Sequence, residues 1–132
     1  MRGEILLRSG KGKQAADAFA KAVKLDRYGA GFLRIELGHA LLESGSKANV
    51  KKAIVQLNKG LARDPTAFGA YQHLARAYGE VGDVSRALLA SAELAVRTGK
   101  KRRAKDYARR AQKGFKRGSP GWLRSQDIIT YK

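Results

Sequence analysis

The chain has 132 residues, the length of one ordinary domain, and a net charge of +17 from 28 Lys and Arg against 11 Asp and Glu. With 43% apolar residues it can build a core, which excludes wholesale disorder. The absence of cysteine excludes a disulfide scaffold, a thiol nucleophile and a thiolate metal site, and no apolar run approaches the roughly 20 residues of a membrane span.

The elements are predicted in chain order as helices over 1–9, 12–26, 30–44, 47–63, 67–81, 84–98 and 100–117, with a last short one opening at Ser119-Pro120. The first contains Ile5-Leu6-Leu7, too short a run for a signal peptide. The second carries Ala15-x3-Phe19, and the third Leu37-Gly38-x2-Leu41, closed by Gly45. In the fourth, Ala53-x3-Leu57 leads to Gly60 and to a break at Asp64-Pro65. The fifth reads Tyr71-x2-Leu74-Ala75-x2-Tyr78, closed by Gly82, and Asp83 is a natural cap for the sixth. In the seventh, Ala104, Ala108, Ala111 and Phe115 form an apolar stripe at i, i+4, i+7 and i+11. The last helix has a capping serine, proline in its first turn, and Trp122, Gln126 and Ile129 on one side. It is expected to cover the open apolar end of the stack.

These segments repeat. Leu37 to Leu74 and Leu41 to Tyr78 are each 37 residues. The step from a small residue on one helix to the alanine on the next is 12 from Gly3 to Ala15, from Ala75 to Ala87 and from Ala92 to Ala104. It is 15 from Gly38 to Ala53, which places three extra residues in the turn near Ser44 to Asn49. A small residue lets two helix backbones approach, and the larger neighbour fills the gap beside it. The pattern resembles tetratricopeptide repeats over about 115 residues, an all-α, right-handed superhelical array of antiparallel helix pairs: about seven helices plus a short C-terminal capping helix. Residues 1–118 are read as the array and 119–132 as the capping helix and tail of a single domain. The first unit begins at Gly3, halfway along its first helix, so Met1 is expected to fall inside a longer protein.

No catalytic set is legible. His39 and His73 lie 34 residues apart, neither belongs to an HExxH, and a zinc site needs three or four converging ligands. One histidine is expected to face a groove and the other to pack. Gly10-Lys11-Gly12-Lys13 lacks the GxxxxGK[ST] pattern and follows no strand, so it reads as a turn between helices. No metal ligand or cofactor is assigned. A concave partner-binding groove is predicted from residues one step round the helix from the packing stripe: Phe32, Ile35, His39, Leu42, Gln72 and Arg76, with Glu4 and Leu7 in the first unit. The Lys/Asn set that clamps acidic chain ends in some tetratricopeptide domains is absent.

Charge is concentrated in residues 97–118, where eleven cations face the single Asp106. Lys101, Arg102, Lys105, Arg109, Lys113 and Lys116 form the expected basic face. Such a field attracts phosphates and anionic lipid heads, but no base-reading motif accompanies it, so specific nucleic-acid binding is not expected.

A narrower resemblance rests on Leu33-Arg34-Ile35-Glu36-Leu37-Gly38-His39-Ala40-Leu41-Leu42, on Tyr71 to Asp83 with Ala90-Ser91-Ala92-Glu93, and above all on Arg117-Gly118-Ser119-Pro120-Gly121-Trp122-Leu123-Arg124-x2-Asp127-Ile128. Together these resemble the C-terminal repeat region of CAAX-prenyl-protease-like, HExxH-type zinc metallopeptidases of Gram-negative bacteria. The resemblance implies a non-catalytic, periplasmic region that binds protein or peptide segments and outer-membrane assembly components, with zinc only in a separate catalytic domain. The alternative is a free-standing scaffold whose basic helix binds nucleic acid or anionic lipid.

Overall fold

A computed structural model describes residues 11–132. The described residues form seven helices and no strand: α1 Gly12–Leu25, α2 Gly31–Glu43, α3 Lys47–Arg63, α4 Gly69–Glu80, α5 Val84–Arg97, α6 Lys101–Gln112 and α7 Pro120–Thr130. The helix expected over 1–9, with Gly3, Glu4 and Leu7, lies outside the described residues. The chain divides into two compact units, one through His73 and one from Leu74, so that the boundary falls inside α4.

In the first unit α2 packs against both α1 and α3. Toward α1 it presents Leu37 and Ala40, which cluster with Ala15, Ala16 and Phe19, flanked by Val23, Leu33 and Leu41. Toward α3 it presents Gly31, Ile35 and Gly38. A Cβ on Gly38 would lie 2.6 Å from Leu57 Cγ and 3.2 Å from the Ala53 carbonyl, and one on Gly60 would lie 2.6 Å from Ile35 Cγ1. These small residues bring the two backbones together, and Ile35 and Leu57 fill the space beside them, the seam that the repeat spacing predicts. Arg34 Nη1 donates to Gln56 Oε1 at 3.1 Å across the same seam. The turn from α1 into α2 is held by Asp26, whose carboxylate accepts the Tyr28 and Ala30 N–H groups. These bonds, that from Ala30 first, hold its pKa below the usual carboxylate value.

In the second unit α6 packs on α5 and on α7, around Ala92, Ala95, Ala104, Ala108 and Ile128. Glu93, largely buried, ties α5 to α7: Arg124 Nη2 donates to it at 2.6 Å, and Arg97 Nη1 from the same helix at 3.3 Å. The helix ends follow the sequence. Asp83 accepts from the Arg86 N–H at 3.1 Å, and Ser119 from the Trp122 N–H with Pro120 in the first turn. After α4 the Asp83 N–H reaches the Tyr78 carbonyl at 2.9 Å; after α5 the Lys100 N–H reaches the Ala95 carbonyl at 2.8 Å. Gly82 and Gly99 occupy the intervening left-handed position, φ +81° and +74°. The two ends close by the same 6→1 bond.

One boundary differs by more than two residues. The helix expected to reach 117 stops at Gln112, and residues 113–119 form turns. Gly114 lies so close to Ser85 that a Cβ there would collide with the hydroxyl. Phe115, read as the end of the α6 stripe, instead packs from this turn against Gly121 at the start of α7.

Candidate binding surfaces

Two surfaces emerge, one in each unit. In the first, α2 packs against α1 and α3 on two sides, and its third side carries the stripe Phe32, Glu36, His39 and Glu43 at i, i+4, i+7 and i+11. Phe32 is 48% exposed, a large apolar side chain in water. His39 Nε2 lies 3.7 Å from Glu43 Oε1. The His39 and His73 rings stack, with centroids 4.1 Å apart and planes 19° from parallel, and both are half-buried. The expected division into one groove-facing and one packed histidine is therefore replaced by a pair. Gln72 is exposed beside His73 in sequence.

Two of the predicted groove residues are corrected. Ile35 is 7% exposed and Leu42 is 1% exposed, so neither offers a binding surface. The one-step rule assumes a helix packed on a single stripe. On α2 one step from the stripe facing α1 leads onto the stripe facing α3, and the solvent face lies a further step round. Arg76, in the second unit, is exposed and its Nε lies 3.2 Å from Glu80 Oε1. Residues 36 and 43 were missed; their i, i+4 and i+7 spacing with Phe32 and His39 is legible, but only once both packed stripes are known.

Sequence reasoning also missed a shallow hollow of about 510 Å³ among α1, α2 and α3, lined by Ala16, Ala20, Leu37, Leu41 and Val55 with Lys13, Asp17 and Lys52. Its signal is the pair of small residues at i and i+4 on α1 opposite two leucines at i and i+4 on α2. Gly12, in the glycine–lysine run, is buried, and a Cβ there would lie 2.5 Å from the Glu43 backbone, so its role is close packing.

In the second unit the expected basic face is exposed at Lys101, Arg102, Arg109, Lys113 and Lys116 and half-buried at Lys105. Lys101 Nζ donates to the Lys132 carbonyl and lies 5.4 Å from the Tyr131 ring centroid. Arg110 sits 6.0 Å over the Tyr107 ring and Arg117 5.9 Å over Trp122. An open hollow of about 740 Å³ is lined by Lys100, Lys101, Arg102, Arg103, Asp106 and Arg109. Lys113 and Lys116 stand on the turn after α6 rather than on the helix. The first turn of α6 holds no acidic residue and its N-cap, Lys100, makes no side-chain capping bond.

No group of three or more His, Cys, Asp or Glu that could hold a metal ion stands together among the described residues. Nor is any helix there long and apolar enough to cross a membrane. Neither a family model nor a curated protein matches the chain.

Proposed function

We propose that this chain is a tetratricopeptide-like array that binds protein segments, the non-catalytic C-terminal region of a periplasmic HExxH zinc metallopeptidase engaged in outer-membrane protein quality control. The observation that carries the reading is the small-into-large seam of Gly38, Ala53 and Leu57, which falls where the repeat spacing demands it. The matching closures after Gly82 and Gly99 support the same repeat. The protease assignment rests on the resemblance of the segment from Arg117 to Ile128.

In this reading Phe32 anchors an apolar or aromatic side chain of the partner. His39, His73 and Gln72 supply hydrogen bonds to an extended backbone, and Glu36 and Glu43 favour basic residues beside the anchor. The catalytic zinc and its ligands belong to another part of the protein, so this chain contributes capture and orientation.

The test is binding of the purified chain to a urea-unfolded β-barrel outer-membrane protein, followed by fluorescence anisotropy on dilution from urea. Phe32→Ala with Gln72→Ala should weaken capture about tenfold, the loss of one anchor of roughly 1.4 kcal/mol. Helicity by circular dichroism should not change, since both side chains are exposed. Undiminished capture would remove this face from the function. Ile35 is left intact, because its burial would turn any substitution there into a packing defect.

A further inference from the structure

We infer that the cationic face of the second unit is a docking surface for anionic phospholipid headgroups, a property separate from the protein-binding face of the first unit. On α6, Lys101, Lys105 and Arg109 follow one another at i, i+4 and i+8, with Arg102 beside them. The helix has 12 residues, about 18 Å of length, and the turn after it extends the row with Lys113 and Lys116.

Folding does not account for this charge. The side chains of Arg102, Arg103, Lys105, Arg109, Lys113 and Lys116 make no ion pair or hydrogen bond among the described residues, and Asp106 is the lone carboxylate within residues 97–118. The apolar stripe of the helix, Ala104, Ala108 and Ala111, is already buried. The outward cations are therefore surplus to packing, and each repels the others across the surface.

The surroundings favour a lipid surface over a nucleic-acid strand. Binders of single strands add bases stacked on free aromatic faces to their phosphate contacts. Here Tyr107 and Trp122 are half-buried, each with a guanidinium already over it. Such rings, apolar in body with a polar edge and flanked by Arg, suit the headgroup level of a bilayer. Tyr131, 65% exposed beside Lys101, continues the same chemistry. A headgroup layer offers phosphates in two dimensions, so the helix and the turn after it can be neutralised together.

The experiment is co-sedimentation of the whole chain with neutral phosphatidylcholine vesicles and with vesicles containing one-third phosphatidylglycerol, at about 0.15 M salt. Trp122, the single tryptophan, reports contact by its emission. The anionic vesicles should bind and the neutral ones should not. Lys105→Glu, Arg109→Glu, Lys113→Glu and Lys116→Glu together should cut partitioning at least about a hundredfold. The four-fold Gln variant, which removes the charge without reversing it, should cut it less, and replacing Lys by Arg at the three lysines should preserve it. Circular dichroism establishes that each variant is folded. Equal binding to neutral vesicles, or intact binding by the folded Glu variant, would overturn the inference. So would a single-stranded oligonucleotide binding more tightly than the anionic vesicles at the same salt.

Discussion

The helices α1 to α3 and α5 to α7 solve the same packing problem with different residues. The first group fills its interior with bulky side chains: Phe19, Ile35, Leu37, Leu42, Val50 and Leu57 are all buried. The second buries Ala90, Ala92, Ala95, Ala104, Ala108 and Ala111, with Ile128 the one large buried apolar residue of α5 to α7. Alanine removes little surface from water, so each buried residue there contributes less. That unit relies instead on fixed helix ends and on Glu93 held by two arginines. It is also the unit that carries the excess positive charge. A surface charge of one sign costs stability by self-repulsion, and it stands where the apolar core has least in reserve. The difference teaches that the two units answer to separate demands: the first to tight packing beneath a mixed aromatic and acidic face, the second to the display of cations.

The largest expected effect tests that contrast directly. Phe19→Ala removes a fully buried ring from the α1–α2 cluster and should cost about 3–5 kcal/mol. Ala108→Gly, the corresponding cut in the second unit, should cost about 1 kcal/mol. Hydrogen exchange read by mass spectrometry separates them: the first should raise exchange across α1 to α3, the second across α5 to α7. Equal costs would mean that the alanine interior is no weaker than the bulky one.

A smaller effect is expected at the α2–α3 seam. Gly38→Ala places a methyl 2.6 Å from Leu57 Cγ, closer than any real contact, and should cost about 1–3 kcal/mol through forced repacking. Leu57→Ala by itself opens a cavity. Combined, the two should be less destabilising than the sum of the single changes, because the new methyl occupies space that the leucine vacates. Strict additivity in urea denaturation would show that the close approach is not what limits position 38.

The same residues show what the sequence makes legible. The seam at Gly38, Ala53 and Leu57, the cap at Asp83, the start at Ser119-Pro120 and the closure at Gly82 are local chemistry or repeat spacing, and each could be read from one chain. The orientation of α2 could not, because Ile35 and Leu42 differ from Phe32 and His39 only by which neighbour lies beyond them. On a helix packed on both sides the outward stripe is narrow, and here the polar Glu36, His39 and Glu43 share it with the apolar Phe32. The end of α6 was hidden for a similar reason. Phe115 keeps the helical spacing, while the approach of Gly114 to Ser85 involves a residue 29 positions away. The stack of His39 on His73 likewise depends on two helices meeting, which spacing along either helix does not specify.

The smallest expected effect has the opposite sign. Unsatisfied N–H groups make the first turn of a helix electropositive, which favours acidic and disfavours basic side chains. At α6 the sequence does the reverse, with Lys100 at the cap and Lys101, Arg102 and Arg103 following. The Arg102 and Arg103 side chains are exposed and make no ion pair or hydrogen bond among the described residues, so replacing them removes no side-chain pairing. Arg102→Glu with Arg103→Glu should therefore raise stability by about 0.3–1 kcal/mol per site at low salt, with the gain shrinking as salt is added. Thermal melts of the two forms at low and high ionic strength measure it. If the acidic variant is more stable and also binds anionic vesicles more weakly, the cations are kept at a cost to folding, and the second unit is specialised for its surface. A variant less stable than the parent would show that these arginines hold the fold together, and the contrast between the two units would then lie in their cores alone.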